Sequence, residues 1–554
     1  MKKIRFTILL SFLAISLTII AGNKDKKQEG ESKFNQLKNI ETYANVLREL
    51  SINYVDEINY DNLLNFALEG MLYSLDPYTI FIPEVNNQYI RTINKGEYMG
   101  VGVVIQKIDG EIHITKVLKD MPAYNAGIIV GDIMVSINGK KCAPLELSQV
   151  SDMLRGTSSE KLKIEIKRYG NEKTIIKEVT RNYVSENSIP VALEIAPGTG
   201  YIKITSFVEN TSSTFKTKLD SLVTNNGIEN LIIDLRDNGG GILQQAVNIA
   251  SLFLPKSTKI VDLKKRNQKN TQTYSTINVP KYPNMKLAFI VNKESASASE
   301  LLAGSFQDLD KALIVGERSF GKALVQNITS TGYDTYLKLT IGKYILPSGR
   351  CIQAIDYTSR HDGNKERVLV DSLLNEYKTK NGRIVYDGSG INPDTAFEIK
   401  EELTICDYLQ YYNMFYKYAN KYHYEHKTIA QPMEFEVSDS IYEDFCNFVI
   451  ANNFNYSLTS NMYLQSLESL IKAEGYEEIA KEHIDKLKEL LKPNVKYDLQ
   501  RLKPTIKRKL ENEIITRYYY SQGSMIFSLK SDEWIEKTID IINKDEVYQE
   551  LLKP

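Results

Sequence analysis

The chain has 554 residues, of which 42% are hydrophobic, so it is long enough for several domains that each bury a core. Its 69 basic and 70 acidic residues give a formal net charge of −1, which argues against a nucleic-acid-binding protein and against a polybasic membrane-surface protein. The four cysteines are far apart and include no C-x-x-C pair, so they predict no metal site and no assignable disulfide.

The first 22 residues differ in character from the rest of the chain. Lys2 and Lys3 precede an uncharged run over residues 6–22, a pattern typical of a secretory signal peptide. Two isoleucines near the end of this run fit a small-residue cleavage site poorly, so the alternative is an uncleaved anchor in the inner membrane. Residues 1–22 therefore predict export, to the periplasm or cell envelope of a bacterium.

Residues 23–87 are predicted to form a charged linker followed by a helical segment. Between residues 34 and 75 the apolar residues recur at helical spacing, as at Leu63, Ala67 and Met71. Pro77 ends this pattern, because the proline ring blocks continuation of a helix.

Residues 88–184 are predicted to form a small β-rich module. A glycine-flanked strand begins at Gly100-Val-Gly-Val103, an alternating strand covers residues 112–117, and a helix follows at residues 145–154. Between them, residues 122–132 read Pro-Ala-Tyr-Asn-Ala-Gly-Ile-Ile-Val-Gly-Asp. This run resembles the most specific part of PDZ domains, which bind an extended chain end by adding it as a strand to a sheet edge.

From about residue 196 the pattern changes to alternating strands and helices. An apolar strand over residues 231–235 leads into Arg236-Asp-Asn-Gly-Gly-Gly241, and a helix follows. A glycine-rich turn between a strand and a helix directs free amides at one point, which suits a phosphate or an oxyanion equally well.

A serine-rich turn follows the next apolar strand, at residues 287–291. Ser-Ala-Ser-Ala-Ser occupies residues 295–299 and opens a helical pattern. A serine at such a turn has its hydroxyl held clear of the backbone, as in nucleophile elbows. The alternation predicts all three hydroxyls near one face. Because no histidine lies between residues 291 and 326, Lys322 is the candidate base.

Two other interpretations of this region remain open. Ser297 and Glu300 fit the S-x-x-E capping box, in which case Ser297 does no more than start a helix. Residues 316–322 imitate the phosphate loop G-x-x-x-x-G-K. Against a nucleotide site, Ala323 stands where a Mg²⁺-binding Ser or Thr is required, and residues 324–331 have the pattern of a strand rather than of a helix.

Several of these segments together resemble the C-terminal processing (tail-specific) peptidase family, serine proteases that use a Ser-Lys pair. The resemblance covers residues 34–400, with Ala323 as a departure from the family's usual glycine. The matching segments are Gly-Met-Leu and Leu-Asp-Pro-Tyr within residues 70–78, the glycine-rich turn from Asp234 to Gly241, Ser-Ala-Ser-Ala-Ser-Glu at 295–300, Val-Gly-x-x-Ser-Phe-Gly-Lys-x-x-Val-Gln at 315–326, Pro-Ser-Gly-Arg-x-Ile-Gln at 347–353 and Gly-Ile-x-Pro-Asp at 390–394.

The resemblance assigns roles in the protease core. It implies that Ser297 is the nucleophile, that Lys322 is the base and that Gln326 holds this lysine. On this assignment Ser297→Ala abolishes proteolysis, whereas replacing either outer serine leaves most activity.

The same resemblance implies an oxyanion hole and a peptide-binding groove. The oxyanion-hole donors are the amides of Ala298 and Gly240, with Gly239 as the alternative register. In the PDZ domain, the amides of residues Gly100, Val101, Gly102 and Val103 would hold the carboxylate of a free, apolar C-terminus. Arg155 matches an arginine that relays peptide occupancy to the active site in some relatives, and the alternative is a cation at a helix C-terminus.

The fold class predicted for the whole chain is a multidomain α/β protein: a crotonase-like α/β protease core, a β-rich (α+β) PDZ domain, and helical N- and C-terminal regions. The predicted function is a Ser-Lys endopeptidase that cleaves exported proteins near their C-termini, with no metal and no cofactor. A catalytically inactive PDZ scaffold and the nucleotide binder are the alternatives. Residues 401–554 suggest a homo-oligomer or adaptor contact. The predicted boundaries are 1–22 signal peptide or anchor, 23–87 linker and helical segment, 88–184 PDZ domain, 185–400 protease core and 401–554 helical extension.

Overall fold

The computed structural model describes residues 34–84, 88–156, 158–266, 271–397 and 404–554, so the predicted signal segment lies outside the described residues. The chain divides into two compact units, residues 1–73 and 74–554. In the first unit the described residues form helix α1 (34–53) and helix α2 (Tyr60–Tyr73). None of the helices in the described ranges is both long and apolar enough to span a membrane.

The second unit begins with a short strand, β1 (Ile80–Ile82), and a helix, α3 (Gln88–Lys95). β1 pairs antiparallel with a long strand of the predicted protease core, β18 (Thr335–Ile345). The predicted boundary at residue 87 therefore separates β1 from the sheet to which it belongs. The local sequence predicts a turn after a helix, but it does not show that a distant strand pairs with β1.

The predicted PDZ domain is a β-rich module with its own apolar core. Its main sheet has the strand order β3-β4-β5-β7-β8, so β3 forms one edge, and α5 lies against it. The elements are β2 (Glu97–Gly100), β3 (Val103–Ile108), β4 (Glu111–Val117), α4 (Pro122–Asn125), β5 (Ile133–Ile137), β6 (Lys140–Lys141), α5 (Leu147–Leu154), β7 (Lys161–Lys167), β8 (Ile175–Thr180) and β9 (Asn182–Ser185).

The protease core is built on a six-stranded sheet with the order β10-β11-β12-β15-β16-β23. β10 is antiparallel to β11, and the other neighbours are parallel. The elements of this sheet and its first helical layer are β10 (Val191–Ala196), β11 (Thr199–Lys203), α6 (Thr211–Asn226), β12 (Asn230–Asp234), α7 (Leu243–Ala250), β15 (Lys286–Val291), α8 (Ala298–Asp308), β16 (Leu313–Gly316) and β23 (Thr395–Ala396).

A second sheet contains five strands and includes β1. β17 and β18 form its long hairpin, which carries residues on the far side of the cleft described below. The remaining strands of the core are β13 (Lys259–Lys265), β14 (Gln272–Ser275), β17 (Leu324–Gly332), β18 (Thr335–Ile345), β19 (Ile355–Asp356), β20 (Arg367–Val368), β21 (Glu376–Lys378) and β22 (Ile384–Tyr386).

The C-terminal region is helical, as predicted. Its first helices enclose an apolar cluster of their own, and Tyr416 on α10 also enters the PDZ core, where its hydroxyl donates to the carbonyl of Ile114 (3.2 Å). The helices are α9 (Ile405–Tyr411), α10 (Met414–Glu425), α11 (Asp439–Ala451), α12 (Thr459–Ala473), α13 (Glu477–Leu490), α14 (Val495–Arg501), α15 (Lys503–Ser528), α16 (Glu533–Ile542) and α17 (Asp545–Leu551).

The two faces of the six-stranded sheet are covered by distant parts of the chain. Successive residues of a strand point to opposite faces: Ile233 packs with the layer of α6, α7 and α8, whereas Ile232 packs with the C-terminal residues Leu529 and Ile535. A mainly parallel sheet is stable only when both faces are buried. The predicted boundary at residue 400 therefore separates this sheet from α16 and α17, which cover one of its faces.

Candidate active site

Ser297 occupies the turn between the buried strand β15 and helix α8. Its backbone has φ 57° and ψ −114°, a combination that side-chain-bearing residues rarely adopt. Holding a residue there costs about 1–3 kcal/mol, and such strain persists where the surrounding structure imposes it, most often at functional sites. The position of a strained serine between a strand and a helix resembles a nucleophile elbow, and Ser297 is also the N-cap of α8, with Glu300 as the acid of the capping box.

The outer serines of the turn have a different environment from Ser297. Ser295 and Ser299 are fully buried, and their hydroxyls donate to backbone carbonyls of the glycine-rich loop, at Leu235 and Asn238 respectively, both at 2.8 Å. Ser297 is only half-buried. The outer hydroxyls are thus buried and bound to the loop, whereas Ser297 is partly accessible; that the three hydroxyls share one face stays a prediction.

Glu300 connects the serine turn to the lysine loop. Its fully buried carboxylate accepts hydrogen bonds from the backbone N–H groups of Ser297 (2.8 Å), Gly321 (2.6 Å) and Lys322 (2.8 Å), and from the hydroxyl of Ser319 (2.6 Å). Burial raises the pKa of Glu300 to about 7, although the four donors act in the opposite direction. The acid of the capping box thus holds the two catalytic candidates in a fixed relation.

Lys322 is a half-buried lysine whose pKa is lowered to about 8. Burial is the main cause, and the nearby cation of Lys338 adds to it, while the carboxylates of Glu300 and Asp76 oppose the shift. The lysine Nζ lies 4.0 Å from the centroid of the Tyr78 ring. This environment brings the ammonium close to deprotonation near neutral pH.

Gln326 lies in the same cleft as Lys322 but has another partner in the structure. Its amide nitrogen donates to the hydroxyl of Thr340 (3.1 Å), the residue opposite it in the β17–β18 hairpin. The N–H of Thr340 in turn donates to Thr79 Oγ1 (3.2 Å). The role of Gln326 in holding Lys322 stays a prediction.

The glycine-rich loop after β12 packs directly against the serine turn. Gly240 has φ 98°, and a Cβ added there would lie 2.7 Å from the Ala296 carbonyl oxygen and 2.8 Å from Ser297 Cβ, so only glycine fits. The N–H of Gly240 donates to Asn238 Oδ1 (2.9 Å). Gly239, the residue before it, is the alternative oxyanion-hole donor.

One cleft brings together most of the residues that the sequence singled out. Ser297, Lys322, Gln326, Gly239 and Gly240 all line it. Its walls also include apolar and aromatic side chains that suit an extended peptide: Ile93, Leu243, Leu263, Tyr274, Leu324, Tyr336 and Tyr344. Within the described ranges, no group of three or more His, Cys, Asp or Glu residues is arranged to hold a metal ion.

The predicted peptide-binding residues of the PDZ domain do not line this cleft. The carbonyls of Val101 and Gly102 accept hydrogen bonds from Ala123 (2.8 Å) and Leu118 (2.9 Å), which fixes the loop before β3. Among the described residues, no strand pairs with the edge of β3 that faces α5.

Arg155 follows helix α5 of the PDZ domain. Its guanidinium lies 5.3 Å from the centroid of the Tyr98 ring on β2. The cation at the end of α5 is instead Arg181, which donates to the carbonyl of Met153 (2.8 Å). A helix-capping role is thus filled by a residue other than Arg155.

Comparison with known proteins matches three segments of the chain to known families. Residues 198–359 match "Peptidase family S41", residues 113–168 match "PDZ domain", and residues 405–542 match "Probable PDZ-protease, C-terminal helical domain". A "Probable CtpA-like serine protease" of Staphylococcus epidermidis is 32% identical over 346 residues, which are 62% of this chain and 69% of the relative. The chain belongs to peptidase family S41.

Two further S41 relatives extend the comparison. The "Carboxy-terminal processing protease CtpB" of Bacillus subtilis is 30% identical over 62% of this chain and 74% of its own length. The "Carboxy-terminal-processing protease" of Bartonella bacilliformis is 29% identical over 64% of this chain and 81% of its own. The protein is thus a serine-type, carboxy-terminal processing peptidase, and the predicted family, enzyme class and fold class are confirmed.

The sequence does not identify two residues of this site. Tyr78 contacts Lys322 and belongs to the Leu-Asp-Pro-Tyr segment, which by itself indicates only a turn after a helix. Glu300 is evident from the sequence only as the acid of a capping box, a local pattern that does not show its bonds to the lysine loop. The family motif that contains each residue was the available signal.

Proposed function

We propose that this S41 peptidase cleaves exported proteins near their C-termini with a Ser297–Lys322 dyad, after its PDZ domain has bound the free C-terminus of the substrate. The observation that carries the dyad is Glu300, whose buried carboxylate binds the backbone N–H groups of both residues. A strained serine and a lysine of lowered pKa are thereby held in one peptide-sized cleft.

In the proposed mechanism the serine attacks and the lysine transfers the proton. Ser297 Oγ adds to the scissile carbonyl while neutral Lys322 Nζ accepts the hydroxyl proton, which then passes to the leaving amine. Water releases the acyl group by the same proton transfers. With a pKa of about 8, roughly a tenth of Lys322 is neutral at pH 7, against roughly one part in 2500 for a lysine of pKa about 10.4.

The oxyanion of the intermediate requires two donors directed at one point. We assign them to the amides of Ala298, at the start of α8, and Gly239. Gly239 is preferred to Gly240 because the N–H of Gly240 already donates to the side chain of Asn238.

Substrate capture is assigned to the edge of the PDZ sheet. The unpaired edge of β3 beside α5 suits an added strand, and the amides at Gly100–Val103 suit a terminal carboxylate. A relay to the cleft would run from Arg155 through Tyr98 on β2 to α3, because Ile93 at the end of α3 lines the cleft.

The test of the dyad uses a fluorophosphonate probe, which labels an activated serine. The probe is expected to label wild type and Ser305→Ala but not Ser297→Ala. Ser305 is the matched control because it is a buried serine of helix α8 whose hydroxyl donates to the Leu302 carbonyl of the same helix. Labelling of Ser297→Ala would refute the assignment. An inactive scaffold or a nucleotide binder predicts no labelling of any of the three.

The test of capture compares one peptide with a free acid end and with an amide end. The amide lacks the charge that strengthens hydrogen bonds to the carboxylate, and losing one such bond lowers kcat/KM about tenfold. Equal cleavage of the two peptides would show that the protease does not recognise the free C-terminal carboxylate.

Export is proposed from residues 1–22 alone. Wild type is expected in the periplasm or the membrane fraction, and a variant without residues 1–22 in the cytoplasm. Retention of wild type in the cytoplasm would contradict export, and release of it by salt-free osmotic shock would contradict an anchor in the inner membrane.

A further inference from the structure

The C-terminal helical region contacts the base of the glycine-rich loop through one carboxylate. Asp532 Oδ2 pairs with Arg236 Nη1 at 2.7 Å. Its other oxygen caps helix α16 by accepting hydrogen bonds from the N–H groups of Trp534 (3.0 Å) and Ile535 (3.3 Å). Asp532 therefore joins the first turn of α16 to the residue that begins the loop.

Arg236 bridges this carboxylate and a second one in the core. Its Nη2 lies 2.6 Å and its Nε 3.0 Å from Oδ2 of Asp234, the fully buried last residue of β12. Burial by itself raises the pKa of Asp234, but Arg236 and Lys203 outweigh that effect and lower it to about 2. The planar guanidinium is thus held between two carboxylates, with the Trp534 ring 5.6 Å from it.

The position of Arg236 determines where the oxyanion loop begins. Its carbonyl accepts a hydrogen bond from Lys203 Nζ (3.2 Å), and two residues further on, Asn238 holds the N–H of Gly240. Gly239 is the third residue after Arg236, so the two Cα atoms are at most about 10 Å apart along the chain. A displacement of the arginine therefore moves the amides at the cleft.

We propose that Asp532 is a positioning residue for peptide cleavage: it holds Arg236, and through it the amides of the glycine-rich loop, where the oxyanion forms. This inference rests on the proposed function of that loop and gives the C-terminal region an indirect part in catalysis, through Arg236. Loss of the pair leaves Arg236 with one anchor instead of two. Because oxyanion donors act on the transition state, the loss lowers kcat and leaves KM almost unchanged.

The first test is Asp532→Asn, measured as kcat and KM on a peptide substrate. Asparagine is as good a helix N-cap as aspartate, so the variant removes the ion pair and keeps the cap of α16. We expect kcat to fall about tenfold with KM within about twofold, and Asp532→Glu to recover most of the loss. An unchanged kcat in Asp532→Asn would overturn the inference.

The matched control is Asp545→Asn. Asp545 also lies at the start of a C-terminal helix and pairs with a core cation, Lys286, but at the amino end of β15, away from the loop. Its kcat is expected to equal that of wild type. Trp534 is the only tryptophan of the chain, so its fluorescence reports whether α16 stays docked in each variant.

The second test asks whether Asp532 acts through Arg236. Lysine at position 236 keeps the charge but not the planar fork that spans both carboxylates. In the Arg236→Lys background, Asp532→Asn is expected to lower kcat no more than about twofold further. A tenfold loss in both backgrounds would show a role independent of Arg236 and would refute the proposal.

Failure of the proposed function is distinguishable from failure of this inference. If wild type neither cleaves peptides nor reacts with the serine probe, the proposed chemistry is wrong. If wild type reacts and Asp532→Asn has the same labelling rate and kcat, only the positioning role is wrong. The role predicts full labelling of the variant at a rate lowered about tenfold.

Discussion

The candidate cleft and the edge of the PDZ sheet differ in how their backbone amides are bonded. At the cleft, Glu300 accepts hydrogen bonds from the N–H groups of Ser297, Gly321 and Lys322, so the segments that carry Ser297 and Lys322 are joined. At the PDZ domain, β3 forms an edge beside which the described part of the chain places no further strand. Chemistry needs groups fixed before the substrate arrives, whereas capture of a chain end needs donors that are still free.

The largest effect on activity is expected for Lys322, the proposed general base. Lys322→Arg is expected to be as inactive as Lys322→Ala, both losing roughly 10³-fold or more in kcat, because arginine is never neutral at accessible pH. Steady-state kinetics checks this, with Lys343→Arg, an exposed lysine on β18, as the control that keeps activity. Activity of Lys322→Arg within tenfold of wild type would favour a role for Lys322 in binding charge.

Glu300→Gln tests whether the hydrogen bonds of Glu300 to the serine turn and the lysine loop matter for activity. The amide keeps the shape but places an NH₂ group against N–H donors, so the serine turn and the lysine loop separate, and a shift of about 1 Å costs roughly 10²-fold in rate. Glu294→Gln, an exposed glutamate just before the same turn, is the control. If Glu300→Gln has the kcat of wild type, the hydrogen bonds of Glu300 do not contribute to catalysis.

The pH profile distinguishes a chemical step at the cleft from binding at the edge. Lys322 must be neutral, and its pKa is about 8, so kcat/KM is expected to rise with pH, to reach half its plateau near pH 8 and to fall about tenfold per unit below it. The pKa of Glu300, about 7, keeps that carboxylate ionised on the plateau. A profile that is flat between pH 6 and 9 would rule out Lys322 as the base.

A smaller effect is expected at the outer serines. Ser295→Ala and Ser299→Ala each remove a hydrogen bond to the glycine-rich loop, worth about 1 kcal/mol, so kcat is expected to fall by up to about fivefold, a larger loss than the family resemblance implies. Ser305→Ala, which leaves that loop untouched, is expected to match wild type. Equal activity of all three variants would show that the loop is held without these bonds.

The smallest effect is expected at the PDZ edge. Arg155→Ala removes a contact with the Tyr98 ring worth about 0.5 kcal/mol at an exposed site, roughly a twofold change. If Arg155 relays occupancy to the cleft, kcat falls at saturating peptide. If the domain only tethers, KM alone rises. A kcat measurement at saturating peptide therefore decides between relay and tether.

Local patterns in the sequence are sufficient to predict the individual turns that form the candidate site. The serine turn after β15, the glycine-rich turn after β12 and the run at residues 122–132 each depend on neighbouring residues, so turn chemistry identifies them. The family resemblance then assigned roles to Ser297 and Lys322, and the structure places both in one cleft. Helical character was also evident for the C-terminal region, where apolar residues recur at helical spacing.

Only the tertiary structure decided which segments complete the site. The apolar strand at residues 231–235 predicts burial on both faces but does not show that α16 and α17 cover one of them. The contact of Tyr78 with Lys322, and the pair between Arg236 and Asp532, join residues far apart in the chain. Spacing carries no information about such contacts, because they depend on how the packed layers bring distant turns together.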